Sequence, residues 1–125
     1  MKGKIVLVPF PFDDLSSRKV RPAVCLTDPI GEHRHVILAF ITSNTNQEFL
    51  ETDVMLDSNN KNFNVTGLHV SSALRLHSLM TVTTSLICRE LGELSPEMKK
   101  QVVEKLRKLF ELKSQQKPPP YSHQK

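Results

Sequence analysis

Arg75 and His77, in the run Ser71 to Thr81 (SSALRLHSLMT), are the pair of side chains best suited to chemistry in this chain. If the run is a β-strand, successive side chains alternate between its two faces. Leu74 and Leu76 then face one way, and Ser71, Ala73, Arg75 and His77 the other. Arg75 and His77 would be neighbours ~7 Å apart, at ~3.3–3.4 Å of rise per residue. Such a pair suits cleavage of an RNA phosphodiester. The 2′-hydroxyl must lose a proton, the phosphorane gathers negative charge, and the 5′-oxygen must leave protonated. Imidazole, with an ordinary pKa of ~6.5, trades protons near neutrality. A guanidinium stays charged and offers a planar fork of donors to phosphate oxygens. No metal is needed for that reaction. The plainer reading is an exposed pair on the polar face of a half-buried strand.

Two further groups could assist. Ile41-Thr42-Ser43-Asn44 closes a strongly apolar run that begins at Val36. Hydroxyls and an amide at a strand end can bond phosphate or orient a catalytic group, although Ser, Thr and Asn also occur there for backbone reasons alone. Arg21, before Pro22 at the head of a second apolar run, could donate to phosphate. It could equally anchor its loop through a salt bridge to Asp13 or Asp14. His33 and His35 form an H-x-H pair without supporting Cys or carboxylates, which reads as a turn rather than a metal site. Cys25 and Cys88 lie far apart in apolar segments and read as buried reduced thiols, without a disulfide framework.

Positioning these groups falls to a series of short elements. Strand candidates are Ile5–Phe10, Ala23–Thr27, Val36–Thr42, Asp53–Leu56, His69–Leu76 and Met80–Thr83, each bounded by Pro, Gly, Asn or Asp. Pro9 and Pro11 cannot donate ladder hydrogen bonds, so the first strand should be an edge there or end early. Residues 57–66 are rich in Asn and read as a surface loop, with Gly67 permitting the turn back. The pattern changes at Leu94. Ser95 can cap a helix whose first turn suits Pro96. Met98, Val102, Val103, Leu106, Leu109 and Phe110 then recur at helical spacing. The Lys- and Arg-rich opposite face reads as solvated exterior.

The 125 residues allow one compact domain, here residues 1–113 with a helix over about 95–113. Residues 114–125 carry three consecutive prolines and few apolar groups, and are expected to be a disordered tail. The chain should therefore be mainly β (β-rich α+β), a small and strongly curved β-barrel closed by a C-terminal α-helix. A net charge of +4 and a pI near 9.2 favour an anionic partner such as a nucleic acid. No stretch approaches the ~20 apolar residues that span a membrane. The apolar start breaks at Pro9, Pro11 and Asp13 without a signal-peptide cleavage pattern. A cytoplasmic protein is expected.

Read in order, several segments resemble the MazF/PemK family of toxin ribonucleases from type II toxin–antitoxin systems. They are Gly3-x-Ile5-Val6, a charged loop ending in Arg21-Pro22-Ala23-Val24, Thr42-Ser43, Thr66-Gly67-Leu68, Ser72-x-x-Arg75-Leu76, and Thr81 to Leu94 before the helix. The resemblance spans roughly Gly3 to Phe110. It implies an SH3-like barrel, a homodimer and a cognate antitoxin that covers the active groove. It also implies a metal-independent, sequence-selective endoribonuclease, without cofactor, that cuts single-stranded RNA to 2′,3′-cyclic phosphate and 5′-hydroxyl ends. By the same resemblance Arg75 matches the catalytic arginine of the PemK branch, and His77 stands where that branch has an aspartate. Thr42 and Ser43 match the phosphate-positioning pair, and Arg21 matches the arginine held to bind RNA. Asn44 and Ser71 complete the expected RNA contacts. Ser78 and Met80 replace polar or basic residues that many members carry.

Two other functions compete with that reading. CcdB-like toxins use the same barrel to bind DNA gyrase and cut nothing, because fold does not fix function. A degenerate relative could bind RNA without cleaving it, as the Ser78 and Met80 departures suggest.

Overall fold

The computed structural model describes residues 1–10, 19–44 and 48–113. The loop carrying Pro11, Asp13 and Asp14 and the proline-rich tail lie outside the described residues.

Alternating apolar runs produce six strands: β1 (Lys4–Phe10), β2 (Lys19–Cys25), β3 (His35–Thr42), β4 (Asp53–Leu56), β5 (Ser72–Thr83) and β6 (Arg89–Glu93). They form one curled antiparallel sheet in the order β4-β5-β3-β2-β1-β6. One helix follows, α1 (Pro96–Leu109). The expected mainly-β architecture with its C-terminal helix is the observed one, the strands forming a curled half-barrel sheet. Ser95 caps α1, its Oγ accepting from the Met98 N–H at 3.2 Å, and Pro96 occupies the first turn. The helix ends at Leu109, short of the expected residue 113. Arg107 and Lys108 face the negative end of its dipole in the last turn.

Strand alternation divides the core in two. Ile5, Val24, Ala39, Ile41, Val54, Leu74 and Leu76 pack with Leu94, Met98 and Val102 beneath α1. Val6, Val8, Ala23, Cys25, Val36, Leu38, Phe40 and Val82 form the second cluster. β1, β2 and β3 send alternate residues to opposite clusters, which is why these strands read as almost continuous apolar runs.

The sequence reading differs from the structure at several elements. The two segments His69–Leu76 and Met80–Thr83 are parts of one strand, β5, that begins only at Ser72. Its register explains the division. Phe40 of β3 stands opposite Arg75, but the adjacent Ala39 stands opposite Leu79, so Leu76, His77 and Ser78 form a bulge. An odd number of inserted residues exchanges the faces. Even positions Leu74 and Leu76 enter the cluster under the helix, whereas Met80 and Val82 join the other one. β6 is absent from the expected strands: its sequence, RELGE, is polar, and it joins the sheet through backbone pairing with Lys4–Leu7.

β1 is not an edge strand, since it lies between β2 and β6. The β6 ladder stops at Leu7, however, leaving Pro9 paired only with β2. Gly67 does turn the chain, with φ 73°. A Cβ there would collide with the Leu91 carbonyl, so the glycine also lets the short 3-10 turn Phe63–Thr66 press against β6. Of the cysteines, Cys25 is buried as expected. Cys88 is exposed, because it follows a 3-10 turn (Thr84–Leu86) at the sheet rim rather than sitting inside a strand.

Candidate functional site

One row of cross-strand partners gathers the candidate residues. Asp53 of β4 is in register with Arg75 of β5, which is in register with Phe40 of β3. Partners in an antiparallel ladder share a face, so three strands deliver a carboxylate, a guanidinium and an aromatic ring side by side. Beyond Phe40 the row continues through packing. The Phe10 ring from the end of β1 meets Phe40 edge-on, with centroids 5.2 Å apart. The Arg21 guanidinium of β2 lies 5.2 Å from the centre of the Phe10 ring, within cation–π range.

Two depressions flank Arg75. The larger, about 250 Å³, is lined by Phe10, Arg21, Phe40, Thr42, Arg75 and Ser78. The smaller, about 60 Å³, is lined by Thr42, Asn44, Glu48, Phe49, Asp53 and Arg75 among others. Thr42 and Arg75 line both. Two permanently charged guanidinium groups and an aromatic pair thus border one groove. Guanidinium can bind phosphate through paired hydrogen bonds, and aromatic faces can stack a base.

Arg75 is held from behind. Its Nε lies 3.7 Å from Oδ1 of Asp53, and its Nη1 donates to the Glu48 carbonyl at 3.3 Å. Asp53 is 1% exposed, and its Oδ2 accepts from the Leu50 N–H at 2.8 Å. That carboxylate was not a candidate in the sequence. A lone Asp opening a strand gives no sign of the partner that its register selects.

The remaining candidates divide. Thr42 borders the groove, its Oγ1 accepting from the Asn44 N–H at 3.1 Å, which tightens the turn leaving β3. Asn44 lines the smaller depression. Ser43 is exposed beside them and lines neither depression. His77 is exposed within the β5 bulge. Simple alternation therefore does not describe its relation to Arg75, because the ladder is interrupted between positions 75 and 79. Ser71 points elsewhere: its Oγ accepts from the Ser58 N–H at 2.8 Å and donates to Ser58 Oγ at 2.9 Å, bracing the Asn-rich loop. Asp13 and Asp14, the alternative partners for Arg21, lie outside the described residues. His33 sits on the β2–β3 turn and His35 opens β3, both exposed, with ring centroids 6.0 Å apart. Among the described residues no three His, Cys, Asp or Glu side chains gather as a metal site.

Residues 1–110 match the family described as PemK-like, MazF-like toxin of type II toxin–antitoxin system. No curated protein sequence matches the chain significantly. Among solved structures, the Mycobacterium tuberculosis toxin MazF-mt6 is similar at TM-score 0.64 and 24% identity, over 88% of this chain and 98% of that one. A mycobacterial endoribonuclease solved with its cognate antitoxin is similar at TM-score 0.65 and 14% identity, over 92% and 98% respectively. A further Mtb toxin reaches TM-score 0.56 and 25% identity over 70% of this chain and 90% of its own. At such identities the first two likenesses speak to the fold.

Proposed function

Because the chain belongs to the PemK-like, MazF-like toxins of type II toxin–antitoxin systems, we propose that it is a sequence-selective endoribonuclease acting on single-stranded RNA in the groove around Arg75. The observation that carries this reading is the cross-strand row, which borders one groove with Arg75, Arg21 and the Phe10–Phe40 pair. Phosphate fits against the guanidinium groups while a neighbouring base stacks on the aromatic wall.

In this reaction His77 takes the proton from the 2′-hydroxyl, whose oxygen attacks the adjacent phosphorus. Arg75, which stays charged, neutralises the phosphorane and hydrogen-bonds to the 5′-oxygen as its bond to phosphorus breaks; that oxygen takes a proton from water, and His77 passes its acquired proton back to solvent. The products are a 2′,3′-cyclic phosphate and a 5′-hydroxyl, with no cofactor or metal in any step. Thr42 and Ser43 steady the phosphate, and Arg21 and Asn44 hold the flanking strand. A homodimer and a cognate antitoxin complete the proposed assembly. The antitoxin is supported by the toxin family itself and by the similar mycobacterial endoribonuclease, which was solved in complex with its own.

The test is an end-mapped digest of one long RNA, with chelator present and antitoxin absent. Wild-type protein should cut at a preferred sequence and leave the stated ends. Arg75→Ala and His77→Ala should each lower the rate by about 100-fold or more, the usual scale of general acid–base and electrostatic contributions. An uncut RNA pool would remove the nuclease reading and turn attention to gyrase inhibition. Unchanged rates in both variants would keep the activity but reject these residues as its source.

A further inference from the structure

The geometry points to Asp53 as a positioning residue that sets the orientation of the Arg75 guanidinium. This inference rests on the proposed role of Arg75 but concerns a residue that touches no substrate. Asp53 is almost wholly buried, at 1% exposure. A carboxylate in such a place needs a compensating charge or hydrogen bonds. One oxygen, Oδ2, is satisfied by the Leu50 N–H. The other, Oδ1, accepts no hydrogen bond among the described residues and faces Arg75 Nε at 3.7 Å. The charge on Arg75 is therefore its compensation.

The consequence for Arg75 is directional. A guanidinium is flat, and holding two of its nitrogens sets the plane of the third. Here Nε is drawn to Asp53 and Nη1 to the Glu48 carbonyl. Both anchors come from one segment, whose Leu50 carbonyl also accepts from the Asp53 N–H at 3.0 Å. Glu51, in the same segment, is fastened to α1: its carbonyl accepts from Lys105 Nζ at 2.6 Å and its carboxylate from Lys108 Nζ at 2.8 Å. The guanidinium thus has a backing that reaches from β4 to the helix. Preorganised donors act in the transition state without further reorganisation, and misplacement by about 1 Å can cost on the order of 100-fold in rate.

Asp53→Asn separates charge from shape. The amide can still accept from the Leu50 N–H, but it turns a donor toward Arg75 Nε. In RNA cleavage kinetics, kcat should fall about 10- to 100-fold while KM stays within about twofold. In an Arg75→Lys background the same substitution should add little, because lysine lacks the planar fork and the two effects are coupled. A purely structural role would lower both backgrounds alike. An activity-independent reading comes from the nitrogen-15 spectrum of the wild-type protein. The Arg75 Nε–H signal should exchange slowly with water, and in folded Asp53→Asn it should shift and exchange faster. A rapidly exchanging Nε–H in wild type would overturn the proposal, with or without a foldable variant. So would wild-type kcat and an unchanged signal in folded Asp53→Asn. If wild type failed to cut RNA yet kept the protected signal, the nuclease reading would fall while the positioning of Arg75 by Asp53 stood.

Discussion

Guanidinium holds its charge across the pH range of a cell, whereas imidazole does not, so the two proposed chemical residues should leave different marks on a pH profile. With His77 as the base, kcat falls on acidification, because a protonated imidazole cannot accept the 2′-hydroxyl proton. In His77→Gln that acid limb should disappear along with most of the rate. Cleavage of a defined RNA from mildly acid to neutral pH checks this, and a sloping limb retained by the variant would exclude His77 as its source. Residue types were legible in the sequence because chemistry needs particular functional groups. Arg75, Thr42 and Arg21 could be named and do border one groove. Asp53, Phe10 and Phe40 could not be named as site residues. Nothing local distinguishes them from a strand's first residue or from core aromatics, and their roles arise from register with distant strands.

Elements follow from periodicity where a strand buries side chains, and escape it where backbone pairing dominates. β4 and the Ser95-capped helix are plain in the sequence for the first reason, and β6 is missed for the second. The β5 bulge is an intermediate case. The apolar pattern breaks near His77, but only the pairing with β3 shows that the chain continues in one strand with its faces exchanged. Gly67 tests how tightly these elements are joined. Gly67→Ala combines a left-handed backbone conformation with a collision against the Leu91 carbonyl. The two costs together should destabilise the fold by on the order of 3 kcal/mol. Urea denaturation measures this, and a midpoint within error of wild type would show that β6 can move away at little cost.

On the scale of the whole molecule, the two thiols report how firmly the core is packed. Burial pushes the Cys25 thiol up to about 11 from an ordinary value near 9.0. Its proton is therefore kept in the folded state at pH values where the unfolded chain releases it. With fewer protons bound in the unfolded state, stability falls as pH rises from about 9 and levels off above about 11. Cys25→Ala should flatten that part of the curve, as read from denaturation midpoints across the alkaline range. In the native protein near pH 8, a thiol reagent should label exposed Cys88 readily and Cys25 only as the domain opens. Rapid labelling of both would contradict the burial of Cys25 in the core. Among the described residues no helix is long and apolar enough to cross a membrane.

Order along the chain was enough to determine the family likeness, the β-rich class, the helix start and the arginine around which the site is built. These depend on local composition, spacing and capping, which are properties of adjacent residues. The groove itself was decided only by tertiary structure. Asp53, Arg75 and Phe40 are partners because β4, β5 and β3 lie side by side, and a bulge at Leu76–Ser78 shifts the register with β3 just beyond them and sends later residues to the opposite core. Register is a relation between segments far apart in sequence. It is set by which faces the whole sheet must bury, and no single segment contains that information.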